Sequence, residues 1–200
     1  MRQVNIERQN AARLEDISRD HRARYMFASK LINPGDNVLD ACCGVGYGSK
    51  ILSNINGVRV TSFDSSETAL MKARTYYQAD NINYLLIDYK LFNTGPVFNK
   101  VVCLEAIEHV DEPEDLLRIL HKSIISGGSL IISSPNQTII PYSKQRFPFH
   151  TRHWTSGEFD KLLSDSGFLV KEWYSQRDKS AINLEPHPFG RTMLALARKI

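Results

Sequence analysis

Short apolar runs alternate with helix-like segments along most of the chain. Five runs are rich in branched and aromatic residues, and each has the length of a β-strand. This composition predicts strands that are covered on both faces of a sheet. Between the runs, apolar residues recur three and four positions apart, which predicts helices. The strands are expected at 37–40, 58–63, 81–87, 100–104 and 130–133.

Helix signals fall between these strands. A charge-dense segment over 6–32 predicts one or two helices before the sheet, and Pro34-Gly35 ends it. Glu112-Pro113 predicts a helix start, Ile124 is expected on that helix's apolar face, and Gly127-Gly128 is expected to end it. Further helices are predicted at 49–54, after Ser65-Ser66, and from Thr155 to Gly167, where Thr155 and Glu158 form a capping box.

The alternation of strands and helices predicts a parallel sheet with right-handed crossovers. Two more strands are expected in the tail, at 168–174 and 192–197. A chain of 200 residues with 42% hydrophobic residues is expected to form a single domain, residues 1–200, with its own core.

Composition limits the classes of function and location. A net charge of +3 is too small to imply nucleic-acid binding, although a local basic patch is not excluded. The three cysteines are odd in number and two are adjacent, which favours neither a disulfide framework nor a zinc site and predicts a reducing, cytoplasmic location. The sequence has no signal-peptide pattern and no apolar run near the ~20 residues of a membrane span, so no membrane insertion is expected.

The most informative stretch is the turn after the first strand, where Gly44, Gly46 and Gly48 remove every second side chain. Glycine tolerates positive φ and has no Cβ, so a ligand can approach the backbone N–H groups closely. Asp40 ends the strand, where open α/β sheets bind ligands, and Asp64 follows at about the 20-residue offset of a ribose-binding acid. NAD, FAD and S-adenosylmethionine sites share such a turn, which also occurs as a plain tight turn.

Asp40 helps to separate these alternatives. Its carboxylate precedes the glycines, where it would repel a diphosphate but suit a positively charged sulfonium donor. The chain resembles the class I S-adenosylmethionine-dependent methyltransferases in five ordered segments, over about 25–199: the glycine turn, the strand ending at Asp64, 83–88, 100–109 and 126–136. The resemblance implies a Rossmann-like, seven-stranded, mostly parallel α/β sheet with helices on both faces and an antiparallel last strand.

The same resemblance implies a cofactor site for S-adenosylmethionine, with S-adenosylhomocysteine as product. Arg24 is a candidate for the cofactor carboxylate, with a solvated helix charge as the alternative. Ser65 and Asp88 are candidates for the adenine, with helix capping as the alternative for both. Cys42 stands where the family usually has glycine or alanine, and residues 1–36 are expected to form a helical lid. The predicted cofactor-binding residues are Arg24, Asp40, Cys42, Gly44, Gly46, Asp64, Ser65, Asp88, Tyr89 and Leu104.

The methyl acceptor is expected near the stretch from Glu105 to His109, at the end of the fourth strand. Methyl transfer from a sulfonium needs positioning and a base or charge stabiliser, not an enzyme nucleophile. His109 has the intrinsic pKa of a base, whereas the alternative is an imidazole hydrogen-bonded to the backbone. The predicted catalytic residues are His109, Glu108 and His150.

The same residues allow a metal site. Glu105, Glu108, His109 and His150 can converge on one divalent cation, and their oxygen-rich set favours Mg²⁺ or Mn²⁺. The spacing resembles that of the metal-dependent ubiquinone-biosynthesis O-methyltransferases and of the small-RNA 3′-terminal 2′-O-methyltransferases. Relatives near cell-surface sugar pathways carry a similar stretch without an established ion, so both interpretations stay open.

Residues 137–154 are predicted to form the acceptor-side loop, because they combine cations and aromatic residues. The alternative is an exposed loop that covers the sheet edge, and residues 185–189 are a second candidate for closing the pocket. The predicted function is O-methylation of a small molecule or a sugar/glycan precursor, in a chain that could form a homodimer. The alternatives are metal-dependent 2′-O-methylation of RNA ends and a non-catalytic S-adenosylmethionine-binding protein.

Overall fold

The computed structural model describes residues 11–200. The first ten residues of the predicted lid, and the start of the predicted helical segment at Ile6, lie outside the described residues. From Leu14 the expected helices are present as a short 3₁₀ turn, Leu14–Asp16, and helix α1, Arg19–Ser29. No helix within residues 11–200 has the length and apolarity needed to cross a membrane.

Seven strands form one sheet in the order β3-β2-β1-β4-β5-β7-β6. Neighbouring strands from β3 to β5 are parallel, whereas β7 is antiparallel to both β5 and β6. The predicted fold class, with its antiparallel last strand, is therefore confirmed. The strands are β1 Asn37–Ala41, β2 Arg59–Asp64, β3 Ile82–Leu86, β4 Phe98–Cys103, β5 Ile124–Pro135, β6 Phe168–Gln176 and β7 Thr192–Lys199.

Helices cover both faces of this sheet. One apolar core contains side chains of α4 and α5, and a second core, on the other face, contains side chains of α1, α2 and α3. The predicted capping box opens α5, where Thr155 and Glu158 satisfy each other's backbone N–H groups. The remaining helices are α2 Tyr47–Ser53, α3 Glu67–Tyr76, α4 Pro113–Ser123 and α5 Ser156–Asp165.

The expected end of α4 is wrong. The helix ends at Ser123, and Ile124 already has an extended backbone as the first residue of β5. Ile124 pairs with Phe98 of β4, and the register shifts before Lys100 pairs with Ser129. The two glycines after Ile125 therefore lie inside an irregular strand, because pairing with β4 supplies hydrogen bonds that a further helical turn would have to replace.

Candidate functional site

A cleft of about 860 Å³ lies at the carboxyl ends of the parallel strands. This is the edge at which open α/β sheets bind ligands, and the volume is within the range of small-molecule sites. Most of the predicted site residues meet there, although their loops are far apart in sequence. The predicted residues that line the cleft are Cys42, Gly44, Asp64, Ser65, Asp88, Tyr89, Leu104, Glu105, Glu108, His109 and His150.

The glycine-rich turn is held in the conformation that its glycines permit. Gly44 and Gly46 have φ of 56° and 84°. Gly44 faces the cleft, whereas Gly46 is outside the lining and packs closely against α3 and β3, so that a Cβ would lie 2.7 Å from the Ala73 side chain. Cys42 also has a positive φ, 57°, a backbone conformation that favours glycine, so the backbone of Cys42 is held in a strained conformation.

Asp64 ties the turn to the second strand. One carboxylate oxygen accepts a hydrogen bond from the backbone N–H of Gly44 at 2.9 Å, and the other accepts from Ser66 N–H at 2.8 Å. Both bonds fix the carboxylate at the carboxyl end of β2, which is the position predicted for a ribose-binding acid. Ser66 caps α3 through Ala69 N–H, which leaves Ser65 as the serine that faces the cleft.

Asp88 caps a short helix, as its alternative role predicts, and its contact with the adenine stays a prediction. Its side chain caps the short helix Tyr89–Leu91 by accepting from Lys90 N–H at 2.9 Å, and it also lines the cleft beside Tyr89. The nucleoside end expected from the sequence is therefore assembled from the loops after β1, β2 and β3.

Two predicted cofactor residues lie one layer behind the cleft. Asp40 is fully buried and accepts hydrogen bonds from Tyr25 Oη at 2.9 Å and Ser49 Oγ at 2.6 Å. Burial raises the pKa of Asp40 to about 7, although the hydrogen bonds from Ser49 and Tyr25 lower it. Asp40 thus contacts the cleft through Tyr25, which lines it.

Arg24 is the second residue that lies behind the cleft. Only 2% of it is exposed, so the alternative of a solvated helix charge is wrong. Its guanidinium pairs with Glu105 at 3.2 Å and donates a short hydrogen bond to Gln176 of β6. Two residues near Arg24, His21 and Gln176, are not predicted from the sequence. His21 lies one helical turn before Arg24, so the spacing along α1 is a signal that could identify it. Gln176 is 152 positions away from Arg24 and carries no local signal.

Glu105 belongs to this buried network. It has a left-handed backbone, φ 54°, and its carboxylate accepts from Ser133 Oγ at 2.9 Å. Burial alone would raise the pKa of Glu105, but Arg24 and then His21 lower it below the ordinary value. The sequence predicts Glu105 as a fourth metal ligand, whereas the structure places its carboxylate in the ion pair with Arg24.

Glu108, His109 and His150 do converge. Each offers one possible ligand atom, and these atoms all lie within 4.8 Å of one another. Glu108 and His150 are buried, whereas His109 is exposed. Three of the four predicted metal ligands, which are also the three predicted catalytic residues, therefore form one cluster at the acceptor end of the cleft.

Hydrogen bonds assign the imidazole tautomers in this cluster. His153 Nδ1 lies 2.7 Å from the carbonyl oxygen of Ile140, which can only accept, so Nδ1 carries the proton. His153 Nε2 then accepts from His150 Nδ1 at 2.7 Å, which leaves the lone pair of His150 on Nε2. His109 Nδ1 likewise donates to the carbonyl oxygen of Phe149 at 3.0 Å, so Nε2 is the ring nitrogen of His109 that is left for the cleft.

The charge state of His150 follows from its surroundings. Burial, and then the neighbouring His109 and His153, lower its pKa to about 4. Burial also lowers the pKa of His153. His150 is therefore neutral at pH 7, which suits a hydrogen-bond acceptor or a metal ligand better than a proton carrier.

The predicted acceptor-side loop is fastened to this cluster. Thr151 N–H donates to the carbonyl oxygen of Glu108 at 2.7 Å, and its hydroxyl donates to the carbonyl oxygen of Val110 at 2.9 Å. Trp154, predicted as one of the loop's aromatic residues, is 1% exposed and packs in the core. Phe147 lies beside His150 in the cleft, with ring centroids 5.1 Å apart.

Comparisons with known proteins agree with this fold. Residues 12–182 match the methyltransferase domain family. The chain is 30% identical over 183 residues to a ubiquinone biosynthesis O-methyltransferase of Rickettsia akari, which covers 84% of this chain and 70% of the relative. Other ubiquinone biosynthesis O-methyltransferases match over 44% and 66% of their own length, so the chain spans about half to two thirds of them.

Two solved structures share the fold. One is a Haloferax volcanii chain solved in complex with a methyltransferase activator, with a TM-score of 0.77, 21% identity, and coverage of 94% of this chain and 93% of that one. The other is an S-adenosylmethionine-dependent methyltransferase of Mesorhizobium loti, with a TM-score of 0.72, 17% identity, and coverage of 88% and 98%. From the family match, the relatives and the glycine-rich cleft, the chain belongs to the class I S-adenosylmethionine-dependent methyltransferases.

Proposed function

We propose that this enzyme transfers the methyl group of S-adenosylmethionine to a hydroxyl oxygen of a small molecule. The observation that carries the proposal is the cluster of Glu108, His109 and His150, which lies in the same cleft as the glycine turn. The printed names of the curated relatives, ubiquinone biosynthesis O-methyltransferases, support oxygen as the acceptor atom.

The cofactor would occupy the end of the cleft above β1, β2 and β3. Asp64 would bind the ribose and Asp88 the adenine amino group, with Ser65 and Tyr89 beside the base. Cys42, Gly44 and Leu104 would contact the remainder of the nucleoside and the amino-acid tail. Arg24 and Asp40 would act from behind the cleft, through Glu105 and Tyr25.

The acceptor would lie above the end of β4. Attack of its oxygen on the methyl carbon forms the C–O bond while the C–S bond breaks, and the sulfonium becomes the neutral thioether of S-adenosylhomocysteine. His109 Nε2 is the proton acceptor in this proposal, because Nδ1 already donates to a carbonyl oxygen and the pKa of His150 near 4 disfavours proton uptake there. Glu108 and His150 would orient the hydroxyl.

The same three residues fit a divalent cation, because a carboxylate and two imidazoles whose Nδ1 atoms are already hydrogen-bonded form a mixed oxygen and nitrogen ligand set. Such an ion, Mg²⁺ or Mn²⁺, would occupy His109 Nε2 and would replace His109 as the group that favours loss of the proton, because it would lower the pKa of the acceptor hydroxyl. Residues 137–154 would form the acceptor side of a single catalytic domain, and residues 11–36 the described part of its lid.

The proposal can be tested with methyl-labelled S-adenosylmethionine and a panel of catechol, 3,4-dihydroxybenzoate and glucose. We expect label on an oxygen of at least one acceptor, and a loss of kcat of about 100-fold or more in His109→Gln and Glu108→Gln. The affinity for S-adenosylhomocysteine, measured by calorimetry, should stay within about twofold of wild type, since neither side chain is in the proposed cofactor set.

His121→Gln is the matched control, because it removes an imidazole from α4 outside the cleft. It should retain wild-type kcat. Failure to bind S-adenosylhomocysteine, label on nitrogen or carbon, or full activity of His109→Gln would contradict the proposal. A rate that falls with a chelator and returns with Mg²⁺ or Mn²⁺ would support the ion, and a rate that ignores the chelator would exclude it.

A further inference from the structure

One cation of the cleft has no partner for its charge among residues 11–200. Arg191 lines the cleft and is partly buried, and within those residues its guanidinium makes no hydrogen bond, ion pair or ring contact. A second arginine near the cleft, Arg24, is neutralised by Glu105. Lys90, at the nucleoside end, is paired with Glu112. The positive charge of Arg191 is therefore available to a molecule bound in the cleft.

Two further cations lie on the cleft wall without an ion pair in the described part of the chain. Lys179 comes from the same β6–β7 connection as Arg191, and Arg146 comes from the acceptor-side loop, where it stacks over Phe147 at 5.2 Å. The β6–β7 connection and the acceptor-side loop therefore contribute positive groups to one cleft. Within residues 11–200, none of the three groups is in an ion pair.

Strand order places Arg191 at the acceptor end. The nucleoside residues follow β1, β2 and β3, on one side of β4, whereas Arg191 directly precedes β7, on the far side of β5. Its carbonyl oxygen accepts from Asn136 N–H at 2.9 Å, just after β5 ends. The cluster around His109 follows β4 and lies between these two ends, so a molecule that reaches the cluster from the side away from the nucleoside meets Arg191.

The backbone that carries Arg191 is fixed on both sides. Asn136 Nδ2 donates to the carbonyl oxygens of Gly190 at 3.0 Å and Pro188 at 3.2 Å. Gly190 N–H donates to Ser175 Oγ at 3.0 Å, and a Cβ on Gly190 would lie 2.4 Å from the carbonyl oxygen of Gln176. Only glycine permits this approach, so the segment is seated firmly against β6.

His187 completes the support. Its Nδ1 accepts from Phe189 N–H at 3.2 Å and from Ser175 Oγ at 3.0 Å, so Nε2 carries the proton and donates to Glu185 at 2.8 Å. Ser175 is fully buried, so this serine–histidine–glutamate arrangement is closed to a substrate and serves to hold the loop. Residues 185–189, which the sequence predicts as a second candidate for closing the pocket, thus support the backbone that carries Arg191.

We propose that Arg191, assisted by Lys179 and Arg146, binds an anionic group on the methyl acceptor, a carboxylate or a phosphate. The planar guanidinium fork matches both groups, and the fixed backbone on either side of Gly190 sets the point from which the Arg191 side chain extends. The inference rests on the proposed function and deepens it: the acceptor carries its hydroxyl near Glu108 and His109 and its negative charge near Arg191.

The test uses two pairs of probes that differ in charge, bound to the full chain in the presence of S-adenosylhomocysteine. The pairs are 3,4-dihydroxybenzoate with its methyl ester, and glucose 1-phosphate with glucose. For wild type we expect the acid of at least one pair to bind roughly tenfold or more tightly than its neutral partner, by calorimetry. Arg191→Gln should abolish that preference, and Arg191→Lys should retain part of it.

Arg198→Gln is the control, because it removes an exposed arginine from the other end of β7. It should bind both pairs as wild type does. The proposal is overturned if wild type does not prefer either charged probe, or if Arg191→Gln weakens S-adenosylhomocysteine instead, which would assign Arg191 to the cofactor. Methyl transfer without charge preference would overturn this inference alone, whereas absence of methyl transfer to any acceptor would count against the proposed function.

Discussion

Asp40 shows how one buried carboxyl couples the cofactor turn to stability. Its pKa of about 7 lies above the ordinary value of 3.8. At a pH between these two pKa values, Asp40 is protonated in the folded protein and ionised in the unfolded chain. Raising the pH over this range therefore lowers the free energy of unfolding. The burial cost of Asp40 is therefore absent at pH 4 and fully present above pH 7.

Asp40→Asn should remove this dependence. The free energy of unfolding of wild type relative to the variant is expected to fall by a few kcal/mol between pH 4 and 7.5, measured by urea denaturation without cofactor. Asp160→Asn, on the exposed surface of α5, is the control for the substitution itself. A wild-type to variant difference that is constant over this range would contradict the shifted pKa.

Backbone strain also concentrates at single residues of the site. Cys42 and Glu105 are the non-glycine residues with positive φ within residues 11–200, and both line the cleft. Such positions cost about 1–3 kcal/mol each and tend to occur at functional sites. The sequence identifies Cys42 as unusual, because a small residue is expected there, but it offers no comparable sign for Glu105.

The site is predicted from sequence most directly where a residue follows a strand end. Asp64, Asp88 and His109 are of this kind, since the carboxyl ends of parallel strands meet at one edge of the sheet. Partnerships across the fold, such as Arg24 with Gln176, depend on which helix covers which strand. Periodicity along the chain carries no information about that, and so Arg24 was expected to face the cofactor.

At the scale of elements, α1 and α2 are fitted together through Gly48 and Tyr25. A Cβ on Gly48 would lie 2.1 Å from the nearest atom of the Tyr25 ring. The ring cannot easily move, because its hydroxyl is bonded to Asp40 and the residue is 3% exposed. The third glycine of the turn therefore serves packing between helices, not the close approach of a ligand.

Gly48→Ala should lower the free energy of unfolding by about 1–3 kcal/mol or more, because it overpacks this contact. Gly157→Ala, in the first turn of α5 with nothing within 4 Å of its Cβ, is the matched control and should be neutral or stabilise by about 0.5–1 kcal/mol. Thermal or urea unfolding of the two variants measures the difference. Equal stabilities would show that the turn accommodates a side chain at Gly48.

Element type was predicted more reliably than element limits. The strand signal of β4 is correct, yet β5 begins six residues before the expected Leu130, since Ile124 pairs with Phe98. The apolar residues near 124 are compatible with a helix and with a strand. Pairing with the neighbouring strand β4 determines which of the two forms. Local propensity alone could not foresee that pairing.

At the scale of the whole molecule, the cleft draws titratable groups from both ends of the chain into low-dielectric surroundings. Burial, and then Arg24, lower the pKa of His21 to about 4, and the pKa of His150 is lowered to a similar value. In the unfolded chain these imidazoles protonate near 6.5, so acidification from pH 6.5 to 4 favours unfolding. Asp40 acts in the opposite direction over the same range.

The two histidines should outweigh the single carboxyl. Wild type is expected to lose stability when the pH falls from 6.5 to 4.5, whereas a His21→Gln/His150→Gln variant should gain stability, because Asp40 then dominates the proton balance. Urea unfolding at several pH values measures both slopes, and His121→Gln controls for removal of an imidazole outside the cleft. Adding Asp40→Asn to the double variant should bring its slope back towards zero. If the double variant kept the wild-type slope, the acid sensitivity would have to arise outside the cleft, and the neutral state assigned to His150 in the acceptor cluster would lose its support.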